Sequence, residues 1–243
     1  MGAEIVGRLG TYIKVERDEF AVLDVTRNRR DPFHLLVATI LTQNTSDRNA
    51  MRAFRQLSES IGISPERIAR APLSRIRRAI KPAGLFNTRA RGLQELSRVV
   101  LREYRGYLNW IRTRPLDEAR GMILELPNVG PKTADVLLLF LAHGRTFPID
   151  THIERISKRL GIVGEKAGYE EIRMKLMRVF PRNSYLKAHL LLIGHGRRTC
   201  KARRPLCGSC VLRGMCPFPA QHPDISGIVK TFRPSLKGEL GNG

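Results

Sequence analysis

The chain has 243 residues, enough for one large domain or two modest ones and for a core that needs no disulfides. Lys and Arg number 43 against 22 Asp and Glu, a net charge of +21, and 33 of the 43 are Arg. That much uncompensated charge calls for a polyanionic partner, nucleic acid ahead of an anionic membrane surface. The longest apolar run, Val136 to Ala142, is seven residues, whereas a membrane span needs about 20. Glu4 interrupts the N-terminal apolar stretch, so no secretory leader is expected. The expected setting is intracellular.

Asp31-Pro32 is an N-cap with proline at the first helical position, and Phe33 to Thr42 continues as an apolar helix. Ser46 caps a second helix, with Met51, Phe54 and Leu57 on one face and Gly62 ending it. Ser64-Pro65 opens a short helix and Ser74 another. Leu93, Leu96, Val100, Leu101 and Tyr104 recur at three and four, predicting a long helix over 88–106. Pro115 opens a helix reaching Leu126, and a further helix starts near Pro131 and ends at Gly144. Asp150 or Thr151 caps the next, and Tyr169 to Phe180 and Tyr185 to Ile193 supply two more. No sustained period-two pattern appears, so the class is all-α. After Cys216 come Pro217, Pro219, Pro223 and Pro234 with few apolar residues, and 219–243 is expected to be a loosely attached extension.

All four cysteines, Cys200, Cys207, Cys210 and Cys216, fall in one C-x6-C-x2-C-x5-C segment of 17 residues. Disulfide frameworks spread their cysteines to staple distant loops, whereas four thiolates at close quarters suit a metal. Structural zinc usually presents two C-x2-C knuckles and this segment has one. Spacing alone leaves zinc and an iron–sulfur cluster both open. Arg197, Arg198, Lys201, Arg203, Arg204 and Arg213 surround the segment. A loop held rigid by a metal can present such side chains to phosphates; a solvated basic loop is the alternative.

This segment resembles the four-cysteine [4Fe–4S] loop of the endonuclease III family of DNA glycosylases. Gly194-His195-Gly196-Arg197-Arg198-Thr199 is similar to the family's His-Gly-Arg run before the first ligand. The resemblance implies a structural [4Fe–4S] cluster on Cys200, Cys207, Cys210 and Cys216, remote from the chemistry. Leu126-Pro127-Asn128-Val129-Gly130-Pro131-Lys132-Thr133-Ala134 joins two predicted helices and resembles the helix–hairpin–helix motif, whose core reads Leu-Pro-Gly-Val-Gly. The turn is expected to need positive φ and close approach of DNA, which Gly130 fits. Asn128 stands where the family usually has Gly, and Asn best tolerates the left-handed conformation. Backbone N–H groups around Asn128, Val129, Gly130 and Thr133 can then hold a phosphate at the helix N-terminus.

The family places its nucleophilic lysine two residues after the hairpin's second glycine, where Lys132 stands here. The helix N-terminus and partial burial would both disfavour the ammonium and favour the free amine that attack requires. A phosphate-contacting surface lysine is the alternative. Asp150 follows eighteen residues later within Phe147-Pro148-Ile149-Asp150-Thr151-His152-Ile153, which resembles the family's Val-Asp-Thr-His segment. Its carboxylate could stabilise positive charge at C1′ and help deprotonate the amine, or serve only as an N-cap. His152 is read as structural.

A glycosylase must extrude its target and fill the hole. Gly84-Leu85-Phe86-Asn87 resembles the family's Gly-Leu-Tyr-Asn loop, which makes Leu85 the expected wedge; a core leucine is the alternative. Leu41-Thr42-Gln43-Asn44-Thr45-Ser46-Asp47 resembles the loop that inserts a glutamine into the helix, and counting from Phe33 puts Asn44, not Gln43, at that position. This departure is more like archaeal and alkylpurine-type relatives and bears on substrate choice; helix C-capping is the alternative for both residues.

The resemblance covers about residues 20–218 and implies two helical domains with DNA in the cleft between them: 33–145 with the hairpin, and 1–32 with 146–218 carrying the cluster. It implies a bifunctional DNA glycosylase/AP lyase of base excision repair, with Lys132 and Asp150 catalytic. The expected partner is double-stranded DNA with a damaged base or abasic site, bound by a monomer, with no membrane, in the cytoplasm or at the nucleoid of a prokaryote. Oxidised pyrimidines are the family's default substrates, and thymine or uracil mismatched with guanine is the alternative. A non-catalytic DNA-structure-binding protein would use the same hairpin and basic loop, and only the Lys132/Asp150 pair argues against it.

Overall fold

A computed structural model describes residues 1–16, 20, 22–23, 25, 31–142 and 146–222. Its helices are α1 (Gly2–Tyr12), α2 (Pro32–Thr42), α3 (Asp47–Ser60), α4 (Pro65–Arg70), α5 (Leu73–Ile80), α6 (Phe86–Tyr104), α7 (Trp110–Thr113), α8 (Leu116–Leu124), α9 (Pro131–Leu141), α10 (Thr151–Arg159), α11 (Tyr169–Val179), α12 (Tyr185–Arg198) and α13 (Phe218–Gln221). No strand occurs among the described residues, so the all-α expectation holds.

Side-chain caps set several starts. Asp31 Oδ1 accepts from the His34 N–H at 2.9 Å, and Ser46 and Ser64 hydroxyls accept from Asn49 and Arg67 N–H groups, both at 3.3 Å. Ser74 does not start α5. The Pro72 carbonyl already accepts from Arg75 and Ile76, so the first turn closes before Ser74 is reached. α12 runs past the expected Ile193 to Arg198, through Gly194 and Gly196, because packing against α10 and α1 outweighs glycine's poor helix propensity. α9 ends at Leu141, and Gly144 lies outside the described residues.

Two hydrophobic cores organise these helices. Leu35, Leu57, Ile76, Leu96 and Leu137 belong to the first, built from α2 to α9. Ile5, Leu9, Phe147, Ile153, Leu176 and Leu191 belong to the second, built from α1 and α10 to α12. Each such side chain, fully buried, contributes about 1.5–3 kcal/mol. α9 serves both cores, Leu137 and Leu138 facing one and Leu139 the other. That double burial explains its unbroken apolar run.

The segment after Cys216 is better anchored than its composition suggests. Phe218 and Pro219 are buried in α13, and the Arg159 guanidinium stacks 4.3 Å from the centre of the Phe218 ring. The expected loose extension therefore does not begin at 219; residues 223–243 lie outside the described residues.

Candidate active site and cysteine cage

Lys132 and Asp150 line one cleft, together with Gln43, Asn44, His189 and Arg197. Lys132 is the second residue of α9 and is exposed, so the expected partial burial is not found. Asp150 is the N-cap of α10. Its Oδ1 accepts from His152 N–H at 3.0 Å and Ile153 N–H at 2.8 Å, which leaves Oδ2 available to the cleft.

His189 was not singled out by sequence, where it reads as one more position in an apolar helix. It is buried in α12, with Nδ1 3.2 Å from the Pro148 carbonyl. Burial pushes its pKa down to about 4; the Asp150 carboxylate opposes that fall and the Lys132 charge adds to it. One imidazole therefore senses both candidate catalytic groups. His152 is partly buried, with Nδ1 3.1 Å from Arg155. Its pKa is lowered first by burial, with Arg155 adding to the fall.

A buried polar network joins the helix of Lys132 to the strand-free segment before Asp150. Asp135 on α9 is fully buried and accepts from Arg120 Nε at 2.9 Å, Thr146 Oγ1 at 3.0 Å and Tyr169 Oη at 2.7 Å. Arg173 donates to Thr146 at 3.2 Å and to Glu170 at 2.9 Å, and Arg120 also reaches Glu170. Every member has a partner, as a buried network requires.

The hairpin carries one of its two expected features. Asn128 adopts φ 62°. Gly130 does not: its φ is −98°, extended backbone at the N-cap of α9, and a Cβ there would meet open space. Within the chain itself any residue would fit. The Asn128 amide lies over a distant glycine. A Cβ at Gly92 on α6 would lie 2.8 Å from Asn128 Nδ2. Val129 and Thr133 are buried, and the Val129 N–H donates to the Leu126 carbonyl at 3.3 Å.

Leu85 is left-handed at φ 47° and 62% exposed, which removes the core-leucine alternative. Asn44, also left-handed at φ 51°, is exposed at its loop, whereas Gln43 is the C-cap of α2 and donates to Thr133 Oγ1 at 3.2 Å. Strained, exposed non-glycine residues of this kind cluster at functional sites. Lys201, Arg203 and Arg204 are exposed on the cysteine loop. Arg198 is exposed at the end of α12, and Arg197 pairs with Asp47 across the cleft at 2.6 Å.

The four thiols line a single cavity with His195, Leu212 and Phe218. Arg159 spans the loop, donating to Cys200 Sγ at 3.3 Å, the Lys201 carbonyl at 2.7 Å and the Ala202 carbonyl at 3.1 Å. Arg155 donates to the Cys200 carbonyl through Nε at 3.0 Å. One helix, α10, therefore begins at Asp150 and ends at the cage.

Residues 37–182 match the HhH-GPD superfamily of base excision DNA repair proteins, and residues 200–216 match the iron-sulfur binding domain of endonuclease III. The endonuclease III of Sulfolobus acidocaldarius is 37% identical over 212 residues, which are 87% of this chain and 93% of that one. The chain belongs to the endonuclease III family. A solved endonuclease III in a trapped covalent intermediate with DNA superposes with a TM-score of 0.75 at 27% identity, over 90% of this chain and 95% of that one. A thermostable thymine-DNA glycosylase gives 0.74 at 25% identity, over 90% and 94%.

As a member of the endonuclease III family, the protein is a base excision repair DNA glycosylase with AP lyase activity, binds DNA and carries a [4Fe–4S] cluster. The non-catalytic alternative falls. The cage fits the cluster. All four thiols line one cavity, as a cluster with one iron per cysteine requires, and the iron-sulfur domain match over residues 200–216 settles what spacing alone left open. Burial raises the Cys207, Cys210 and Cys216 thiols, so the charge of a bound metal is what would hold them as thiolates. No helix among the described residues is long and apolar enough to cross a membrane.

Proposed function

We propose that Lys132 is the nucleophile and Asp150 the electrostatic partner of a reaction through a lysine Schiff base, on a damaged nucleotide flipped into the cleft. The observation that carries this reading is their convergence on one cleft, both acting on the buried His189. The Nζ lone pair bonds to C1′, the N-glycosidic bond breaks, and the base leaves with that electron pair and takes a proton. Opening of the sugar ring gives the imine. Loss of a C2′ proton then breaks the C3′–O bond by β-elimination, cutting the strand 3′ to the lesion, and water releases Lys132. Asp150, aimed by its cap bonds, stabilises charge developing at C1′.

Cys200, Cys207, Cys210 and Cys216 would hold the cluster, which supplies a rigid base for the loop. Leu85 and Asn44 enter the duplex, the backbone of the 128–133 hairpin grips one phosphate, and Arg198, Lys201, Arg203 and Arg204 meet others. In this reading the two cores are two domains, 33–145 and 1–32 with 146–218, and a monomer binds duplex DNA in a prokaryotic cell. Oxidised pyrimidines are the proposed substrates. Mismatched thymine or uracil is the second reading, favoured by Asn44 at the inserting position and by the thymine-DNA glycosylase likeness.

Borohydride trapping tests the nucleophile. Wild type should form a covalent adduct on duplex carrying an abasic site, and Lys132→Ala should form none while still binding. Trapping at the wild-type level in Lys132→Ala would reject the assignment.

A further inference from the structure

Arg89 sits in the first turn of α6 and is only 7% exposed, although it makes no ion pair among the described residues. Its guanidinium serves backbone carbonyls. One terminal nitrogen donates to the Ala83 and Gly84 carbonyls, the latter at 3.1 Å, and the other donates to the Gln43 carbonyl. Ala83 and Gly84 immediately precede Leu85, and Gln43 immediately precedes Asn44. Arg89 and Gln43 are 46 positions apart, and the two loops adjoin different helices. Each presents an exposed residue in the left-handed region. Gln43 extends the linkage through its side chain to Thr133, the neighbour of Lys132.

We propose that Arg89 is a positioning residue that locks the Leu85 and Asn44 loops into one rigid wedge, and that Gln43 is the strut tying this wedge to the catalytic helix rather than a DNA-inserting side chain. The inference rests on the reading that Leu85 and Asn44 enter the duplex. The guanidinium suits the task because its planar fork has donors for several acceptors at once, and it stays charged at any physiological pH. Left-handed, exposed residues do not hold their conformation unaided, and three carbonyls fixed by one cation over-determine it. A side chain that must fill a vacated stack gains nothing from flexibility, since a misplacement near 1 Å can cost about 100-fold in rate.

The test compares one oligonucleotide containing an abasic site as a single strand and in duplex, using cluster-loaded enzyme under single-turnover conditions. A single strand has no stack to enter, so strand cleavage there reads the chemistry without the wedge. Arg89→Lys keeps the charge and loses the fork; Arg89→Met keeps the chain length and loses both. Each should lose about 10- to 100-fold on duplex and stay within about twofold of wild type on the single strand, with unchanged visible absorption and helicity. Leu85→Ala is the control for the underlying reading and should show the same split. If Leu85→Ala shows it and both folded Arg89 variants match wild type on duplex, the clamp is wrong. If Arg89 variants fall equally on both substrates, Arg89 acts on the chemistry and the clamp is also wrong. If Leu85→Ala cleaves duplex like wild type, the insertion reading fails, and the clamp with it.

Discussion

Tyr169 Oη donates to Asp135 Oδ2 at 2.7 Å and accepts from the Ile149 N–H at 3.4 Å. Asp135 is one turn beyond Lys132 on α9, and Ile149 directly precedes Asp150. One phenol therefore sets the spacing between the two arms of the site. Tyr169→Phe keeps the ring and removes both bonds, one to a buried carboxylate. Folding stability should fall by about 1–3 kcal/mol, and single-turnover base release by about tenfold as the arms loosen. Denaturant midpoints and quench-flow rates check this; a stability loss with an unchanged rate would make the contact purely structural.

Asp150→Asn should separate capping from catalysis. The amide oxygen can still accept from His152 and Ile153, so melting should shift little. The rate should drop by about 10²–10³, the scale for losing one electrostatic stabiliser. Wild-type base release by the variant would reduce Asp150 to a cap.

Acid should destabilise the fold through His189. The ring faces the Asp150 carboxylate, the Lys132 and Arg197 charges and the Pro148 carbonyl, and burial takes its pKa from 6.5 to about 4. Between those values the unfolded chain binds a proton that the folded one excludes. Stability from this group is therefore full above about pH 6.5 and is lost as pH falls toward 4, by up to about 3 kcal/mol. His189→Asn should flatten the urea midpoint against pH over that window. An unchanged profile would assign the acid sensitivity elsewhere.

Cluster removal should act locally. Cys→Ser at any of the four positions, or chelation of iron after oxidation, should expose the loop from 199 to 218 to protease, because binding energy at such a site is folding energy. Iron content is expected at four per chain. Stoichiometric zinc in anaerobically prepared protein would contradict it.

Salt dependence locates the phosphate footprint. Each phosphate neutralised contributes about −0.9 to the slope of log K against log salt. Changing exposed Arg203 and Arg204 together to Ala should flatten the slope by about 2 on damaged and undamaged duplex alike, with cleavage at saturation nearly unchanged. An unaltered slope would turn the loop toward solvent and move the footprint to the hairpin.

What the sequence made legible was local or chemically singular. Caps at Asp31, Ser46, Ser64 and Asp150 need only the next three residues, and four clustered cysteines have few uses. Asn128 was readable because few residues enter the left-handed region. The long-range polar bonds were not. Arg89, Arg120, Arg155, Arg159 and Arg173 look like any others among 33 arginines, yet each is committed to carbonyls, carboxylates or sulfur up to 46 positions away or, for Arg120, to Glu170 50 away. Gly130 misled because its likeness to a motif implied a torsion that its own backbone does not adopt. Phe218 was missed because prolines around it looked like a stop to packing, when they close a short helix over Arg159.

The fit of the Asn128 amide over Gly92 makes two positions, 36 apart in the chain, answerable to one another. With asparagine at 128, a methyl group at 92 obliges the exposed amide to swing aside, whereas glycine at 128 would leave no amide to displace. A lineage that moves from glycine to asparagine in the hairpin therefore gains a seated amide only while 92 stays bare. The order of the two changes decides whether the amide ever takes that seat.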